Sequence, residues 1–305
     1  MATSHIAWID THIHISDLGP DGQPREGVLE ALLNQLDRAD ADLRFVVSCD
    51  VPYARAMKDD PSLINRANRM VYDFVRQAPG RLFGSCMVNP RFLTESLKTM
   101  EHCFEKWGFV QFGEMLQYMH GYELEGAESI ETIRRAAAYG VPVQVHLGTY
   151  WHKDYRGGVD GMDQMRGLLR VAARVPEARY VLAHAIGCGP TKEWVPWADW
   201  YLDCLNAYFA TYPRNFWIEI RDFQAPALAR ILREVPGDRI LAGTDWTTRL
   251  GPPFPAYGTM FGLSEAENPF PPAVSSMIGF LRKAGAAESL IEQIAFRNAQ
   301  ELLKV

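Results

Sequence analysis

Cysteine is sparse in this sequence. The five present (Cys49, Cys86, Cys103, Cys188 and Cys204) are odd in number, widely spaced and without a CxxC pair. A disulfide framework or a structural zinc knuckle is therefore not expected, and the thiols suit a reducing compartment. Long hydrophobic runs are also missing. No stretch approaches the roughly 18 uncharged apolar residues of a membrane span. The N-terminal MATSHIAWIDTHIHI lacks the basic segment and apolar core of a secretory signal. A cytoplasmic protein with no membrane partner is the expectation. Positive charge is short as well, with 31 Lys and Arg against 37 Asp and Glu, a net charge of -6. Without a basic run, a nonspecific nucleic-acid binder is not expected.

What is present is an ordinary globular composition, 48% hydrophobic, 22% charged and 11% aromatic. Short apolar runs alternate with longer stretches of helical spacing. The strand candidates are Ile6–Thr11, Phe45–Ser48, Leu82–Val88, Phe109–Met115, Val141–Leu147, Tyr180–Ala183, Phe216–Ile220 and Ile240–Thr244. A helical stretch follows each of them, the last spanning Pro272–Leu303. Eight such units in 305 residues match the size of a (β/α)8 TIM barrel forming a single domain over residues 1–305. A doubly wound open sheet is the competitor. Where its glycine-rich phosphate loop would stand, the chain reads HIHISDLGPDG, with neither GxGxxG nor GKS/GKT.

Six polar residues fall where apolar strands stop. They are His12 and His14 in WIDTHIH, Glu114 in VQFGEM, His146 in VPVQVHLG, His184 in YVLAHAIG and Asp245 in RILAGTDW. In a barrel these strand ends share one rim, so residues distant in sequence converge. Residues two apart on a strand point the same way, so the HxH pair faces one space. Imidazoles with one or two carboxylates suit a first-row divalent cation. Zinc is the expected ion, and manganese is compatible. Taken singly, each residue has an ordinary reading, as a carbonyl cap or a rim carboxylate; the joint placement favours the metal centre. His5, His102, His120 and His152 are weaker candidates. Of these, His120 and His152 lie in loops on the same rim.

The set IDTHIH (9–14), RLFGSCMVNP (81–90), GVPVQVHLG (140–148), VLAHAIG (181–187), DRILAGTDW (238–246) and FRNAQELL (296–303) resembles the amidohydrolase superfamily over nearly the whole chain. It is most similar to the amidohydrolase-related branch, which includes aminocarboxymuconate-semialdehyde decarboxylase, resorcylate decarboxylases and 2-pyrone-4,6-dicarboxylate lactonase. The resemblance implies that His12, His14 and His146 are metal ligands. Asp245 would be a ligand that also handles a proton. His184 would be a ligand of a second ion or a catalytic imidazole. Glu114 departs from the one-metal members of the branch. It resembles the bridging position of two-metal members, so two ions are favoured over one. Dimers are common in the branch, and a homodimer is compatible.

Metal-dependent hydrolysis of an amide, imine, C–N or lactone bond is the expected reaction. Nonoxidative decarboxylation of an aromatic or unsaturated acid is the alternative. Arg221 and Arg249 lie on the functional rim and could clamp a carboxylate; an ion pair of Arg221 with Glu219 or Asp222 is the competing use. Tyr118, Trp151, His152 and Trp246 are further substrate-facing candidates. A small anionic, aromatic substrate is the expected partner.

Overall fold

The computed structural model describes residues 6–15, 27–38, 41–49, 51–147, 161–183, 197–208, 213–221, 223–224, 227–247 and 274–305. The strands are β1 Ala7–Ile15, β2 Asp42–Cys49, β3 Leu82–Cys86, β4 Gln111–Met115, β5 Val143–His146, β6 Tyr180–Ala183, β7 Phe216–Ile220 and β8 Ile240–Ala242, each falling on one of the short apolar runs. All neighbouring strands pair in parallel, in sequence order. The chain is thus a (β/α)8 TIM barrel, as the sequence predicts. Closure depends on a ninth strand, which the sequence pattern does not predict. β9, Trp246–Thr247, continues the β8 segment and pairs with Ile13 and His14 of β1.

The barrel wall is buried on both faces. Outside, the strands pack against the helices in one large apolar cluster. Inside, Ile9, Val46, Val181 and Leu241 form a smaller cluster with Leu302 and Leu303 of the helix Asn298–Leu303. That helix is anchored by Asn298, whose Nδ2 donates to the carbonyls of Gly237 (2.7 Å) and Ile240 (2.8 Å). This gives the Asn of the FRNAQELL segment a structural use at the start of β8.

Two irregularities decide what faces the upper rim. Between Asp10 and Ile13, β1 advances three residues while β2 advances two. The extra residue is a bulge. Strand alternation would put Ile9, Ile13 and Ile15 on one face. Instead Ile9 belongs to the inner cluster, and Ile13 and Ile15 to the outer one. The phase switch turns His12 and His14 inward. β4 repeats the device between Phe112 and Met115. Both of those side chains pack outward, and Glu114 between them turns inward. Gly113 there has φ +136°, and a Cβ on it would stand 2.5 Å from the Gln144 carbonyl oxygen, so the position requires glycine.

Candidate metal centre

His12 and His14 run within β1 rather than beyond its end, because the strand extends to Ile15. Their Nε2 atoms lie 3.0 Å apart. The other ring nitrogens settle the tautomers. His14 Nδ1 lies 2.9 Å from the Cys49 carbonyl oxygen, which only accepts, so this nitrogen carries the proton. The Ser48 hydroxyl is 2.8 Å from the same nitrogen. His12 Nδ1 lies 3.1 Å from the Glu219 Oε2. Both Nε2 atoms therefore point lone pairs into one small space.

Carboxylate oxygens crowd the same space. Glu114 Oε2 is 3.6 Å from each Nε2. Asp245 Oδ1 is 3.1 Å from His14 Nε2 and 3.7 Å from His12 Nε2. The ligand atoms of His12, His14 and Glu114 all lie within 4.8 Å of one another. Lone pairs and carboxylates converging in a buried pocket repel unless a cation sits among them. Nitrogen and oxygen donors in this number fit a divalent metal ion.

The protonation preferences carry the same message. Burial opposes a charged His12, but the Glu219 and Glu114 carboxylates outweigh it and hold its pKa well above the ordinary value. Burial likewise opposes a charged His14, and its hydrogen bond to Asp245 overrides this and raises the pKa. Burial would raise Glu114, yet the His146 and His12 imidazoles hold it well below the usual carboxylate range. Without a metal, protons supply the positive charge that the cluster demands.

His146 joins from β5. Its Nδ1 is 2.6 Å from Glu114 Oε1, so the two oxygens of Glu114 face different imidazoles. The Tyr118 ring lies 4.9 Å from the His146 ring, at the edge of the site. Arg221 follows β7 and is 7% exposed. Its Nη2 is 3.5 Å from Asp245 Oδ2, an ion pair across the site; among the described residues none is made with Glu219, and Asp222 lies outside them. Asp245 itself has φ +54°. Its N–H donates to the His12 carbonyl at 2.8 Å, which ties the eighth-strand carboxylate to the first-strand histidines.

Trp246 is a correction. It is buried, and its ring packs 6.0 Å from Phe45 in the outer cluster, because β9 turns it into the wall. Its ring therefore packs in the wall and not against the His12–His14 pair. His120 is wholly buried beside Tyr122 and is pushed down to about 4 by burial, so it is neutral. His102 contacts Asn65 and Trp107 on the outer helical face. Cys49, Cys86, Cys103 and Cys204 are free thiols. His5, His152, His184, Trp151, Cys188 and Arg249 lie outside the described residues.

Two buried carboxylates belong to the site without being singled out in the sequence. Glu219 interrupts the apolar β7 and contacts His12. Asp10 accepts from the backbone N–H groups of His12 and Thr244, both at 3.0 Å. An ionisable residue inside an apolar strand was the available signal for each.

Solved structures share the fold over the full length. An amidohydrolase from Staphylococcus aureus superimposes with a TM-score of 0.70 at 15% identity, covering 98% of this chain and 99% of that one. A dihydroxybenzoic acid decarboxylase from Polaromonas sp. JS666, with bound manganese and the inhibitor 2-nitroresorcinol, gives 0.65 at 16% identity, with 98% and 97% covered. The 4-oxalomesaconate hydratase of Rhodopseudomonas palustris gives 0.62 at 15%, with 97% and 95% covered. Among curated proteins, no sequence matches the chain significantly. Among the described residues, no helix is long and apolar enough to cross a membrane. The amidohydrolase family profile matches residues 9–305, from the first strand to the last residue, and the chain belongs to that family.

Proposed function

We propose that this chain is a metal-dependent hydrolase of small anionic, planar or aromatic substrates, with a two-ion centre bridged by Glu114. The supporting observation is the division of the Glu114 carboxylate. Its Oε2 faces His12 and His14, and its Oε1 faces His146. A bridging ligand needs this arrangement. His12, His14 and Asp245 would hold one ion, and His146 and His184 the other, with zinc preferred and manganese compatible. Divalent ions at such a centre lower the pKa of a water molecule and polarise a carbonyl.

The protein groups have separate tasks. Asp245 accepts the proton of the attacking water and returns it to the leaving group. Arg221 binds a substrate carboxylate from its place beside Asp245, 3.5 Å away. Tyr118, beside His146, flanks a planar ring. Arg249, Trp151 and His152 complete the substrate site from the rim loops.

The second reading, nonoxidative decarboxylation of an aromatic acid, is favoured by the likeness to decarboxylases of dihydroxybenzoate and carboxyvanillate. Zinc- or manganese-loaded protein offered carboxylated aryl lactones and amides, in parallel with free hydroxybenzoic acids, separates the two. Ring opening or amide cleavage without carbon dioxide is the expected result. Asp245→Asn should lower it by about 10²-fold or more. Carbon dioxide release from the acids, with no hydrolysis, would replace the hydrolase reading by the decarboxylase one.

A further inference from the structure

We propose that Glu219 is a positioning residue for the metal centre: from inside the barrel it holds the His12 imidazole with Nδ1 protonated and Nε2 turned to the cation. This rests on the reading of His12 as a metal ligand.

Glu219 sits in the apolar segment FWIEI with no solvent exposure. A carboxylate is not kept in such a place unless donors surround it. Two strands supply them. The Thr11 hydroxyl of β1 shares its proton between Oε1 and the Ala242 carbonyl oxygen, both at 2.9 Å, and Gln144 Nε2 of β5 donates to Oε1 at 2.7 Å. With Oε1 occupied twice, Oε2 is presented to His12 Nδ1 at 3.1 Å. The residue that follows β8 supplies space. A Cβ at Gly243 would stand 2.7 Å from Glu219 Cδ and 3.0 Å from Oε2, so glycine there lets the carboxylate lie flat against β8.

The β1 bulge makes this arrangement possible. It allows consecutive residues, Thr11 and His12, both to reach Glu219. Arg221, two residues further on, turns to Asp245 instead and does not compete for this carboxylate. A histidine that donates its second nitrogen to a carboxylate is fixed in tautomer and rotation, and is a stronger ligand. A carboxylate present only to fill the barrel would have no reason to spend one oxygen on His12.

The test uses the full chain and zinc alone. In chelator competition, Glu219→Gln should raise the zinc dissociation constant about 10–100-fold. In cobalt-loaded protein, the exchangeable Nδ1 proton of His12 should give a resonance outside the diamagnetic range. In Glu219→Gln, that proton should exchange with water and its signal should broaden. Gln144→Leu removes one donor to Oε1 while leaving His12 and Glu219 in place. It should weaken zinc in the same direction, and serves if Glu219→Gln does not fold. Folded variants with unchanged zinc affinity and an intact Nδ1 signal would overturn the proposal, even if they melt lower, and would leave the metal centre standing. Wild-type protein that takes up no zinc would overturn the metal reading and this proposal with it.

Discussion

Replacing Asp10 with alanine tests how the barrel seam holds its catalytic face together. The Asp10 carboxylate is fully buried between β1 and β8. Oδ1 accepts the backbone N–H of His12 and of Thr244, each at 3.0 Å, and Oδ2 takes the Thr244 hydroxyl at 2.5 Å. Asp245, the next residue, holds a left-handed φ of +54°. For a residue other than glycine that conformation costs about 1–2 kcal/mol and must be held from outside. Alanine strands two backbone donors in a dry seam, at about 1–3 kcal/mol each, or about 2–6 kcal/mol in all. At roughly 2 °C per kcal/mol for a chain of this size, melting should fall by about 4–12 °C. Asparagine keeps a carbonyl for both N–H groups and turns its amide to the Thr244 hydroxyl. It should cost about 1 kcal/mol, or roughly 2 °C. Thermal unfolding followed by circular dichroism, with zinc affinity measured beside it, reads both effects. Alanine should lose stability and zinc affinity together, and asparagine should keep most of each. An alanine variant melting within roughly 2 °C of wild type, or an asparagine variant as damaged as alanine, would refute the reasoning.

Gly113→Ala should be destabilised by about 1–3 kcal/mol and lose metal, because the new Cβ meets the Gln144 carbonyl at 2.5 Å and pushes Glu114 out of line; urea unfolding and metal content read this. Arg221→Met should raise KM about tenfold or more for a carboxylated substrate while leaving its neutral analogue unaffected; equal effects on both would remove the clamp. In metal-free protein, the His12 contribution to stability is complete below pH 6.5 and is lost as pH rises through the elevated folded-state value. The Glu114 contribution is present above pH 4.5 and is lost as pH falls through its depressed value. Melting temperature of the metal-free protein should therefore be highest between these two pH values and fall on either side; a rise into the alkaline range would contradict the assigned charges.

The barrel was legible because its strands are short apolar runs separated by helical spacing, a pattern set by burial on both faces. The HxH pair and the strand-end placement of Glu114, His146 and Asp245 were legible for the same reason, since a polar residue stands out where such a run stops. The bulges were not. Nothing in IDTHIH says that the inward phase changes between Ile9 and His12, because alternation presumes regular pleating. Trp246 was misread on that ground: a short ninth strand turns it into the wall against Phe45. The sequence offers Glu219 only as one of two ion-pair partners for Arg221, whereas the barrel brings it to residues of β1 and β5 more than seventy positions away.

Metal content per chain, measured by plasma mass spectrometry on protein purified without chelator, tests the central claim most directly. The Glu114-bridged centre predicts about two divalent ions in wild type and a clear loss in Glu114→Gln, because the shared ligand is weakened for both. Protein that is folded, free of divalent metal and unable to take up zinc or manganese would contradict the claim that His12, His14 and Glu114 are arranged around a cation.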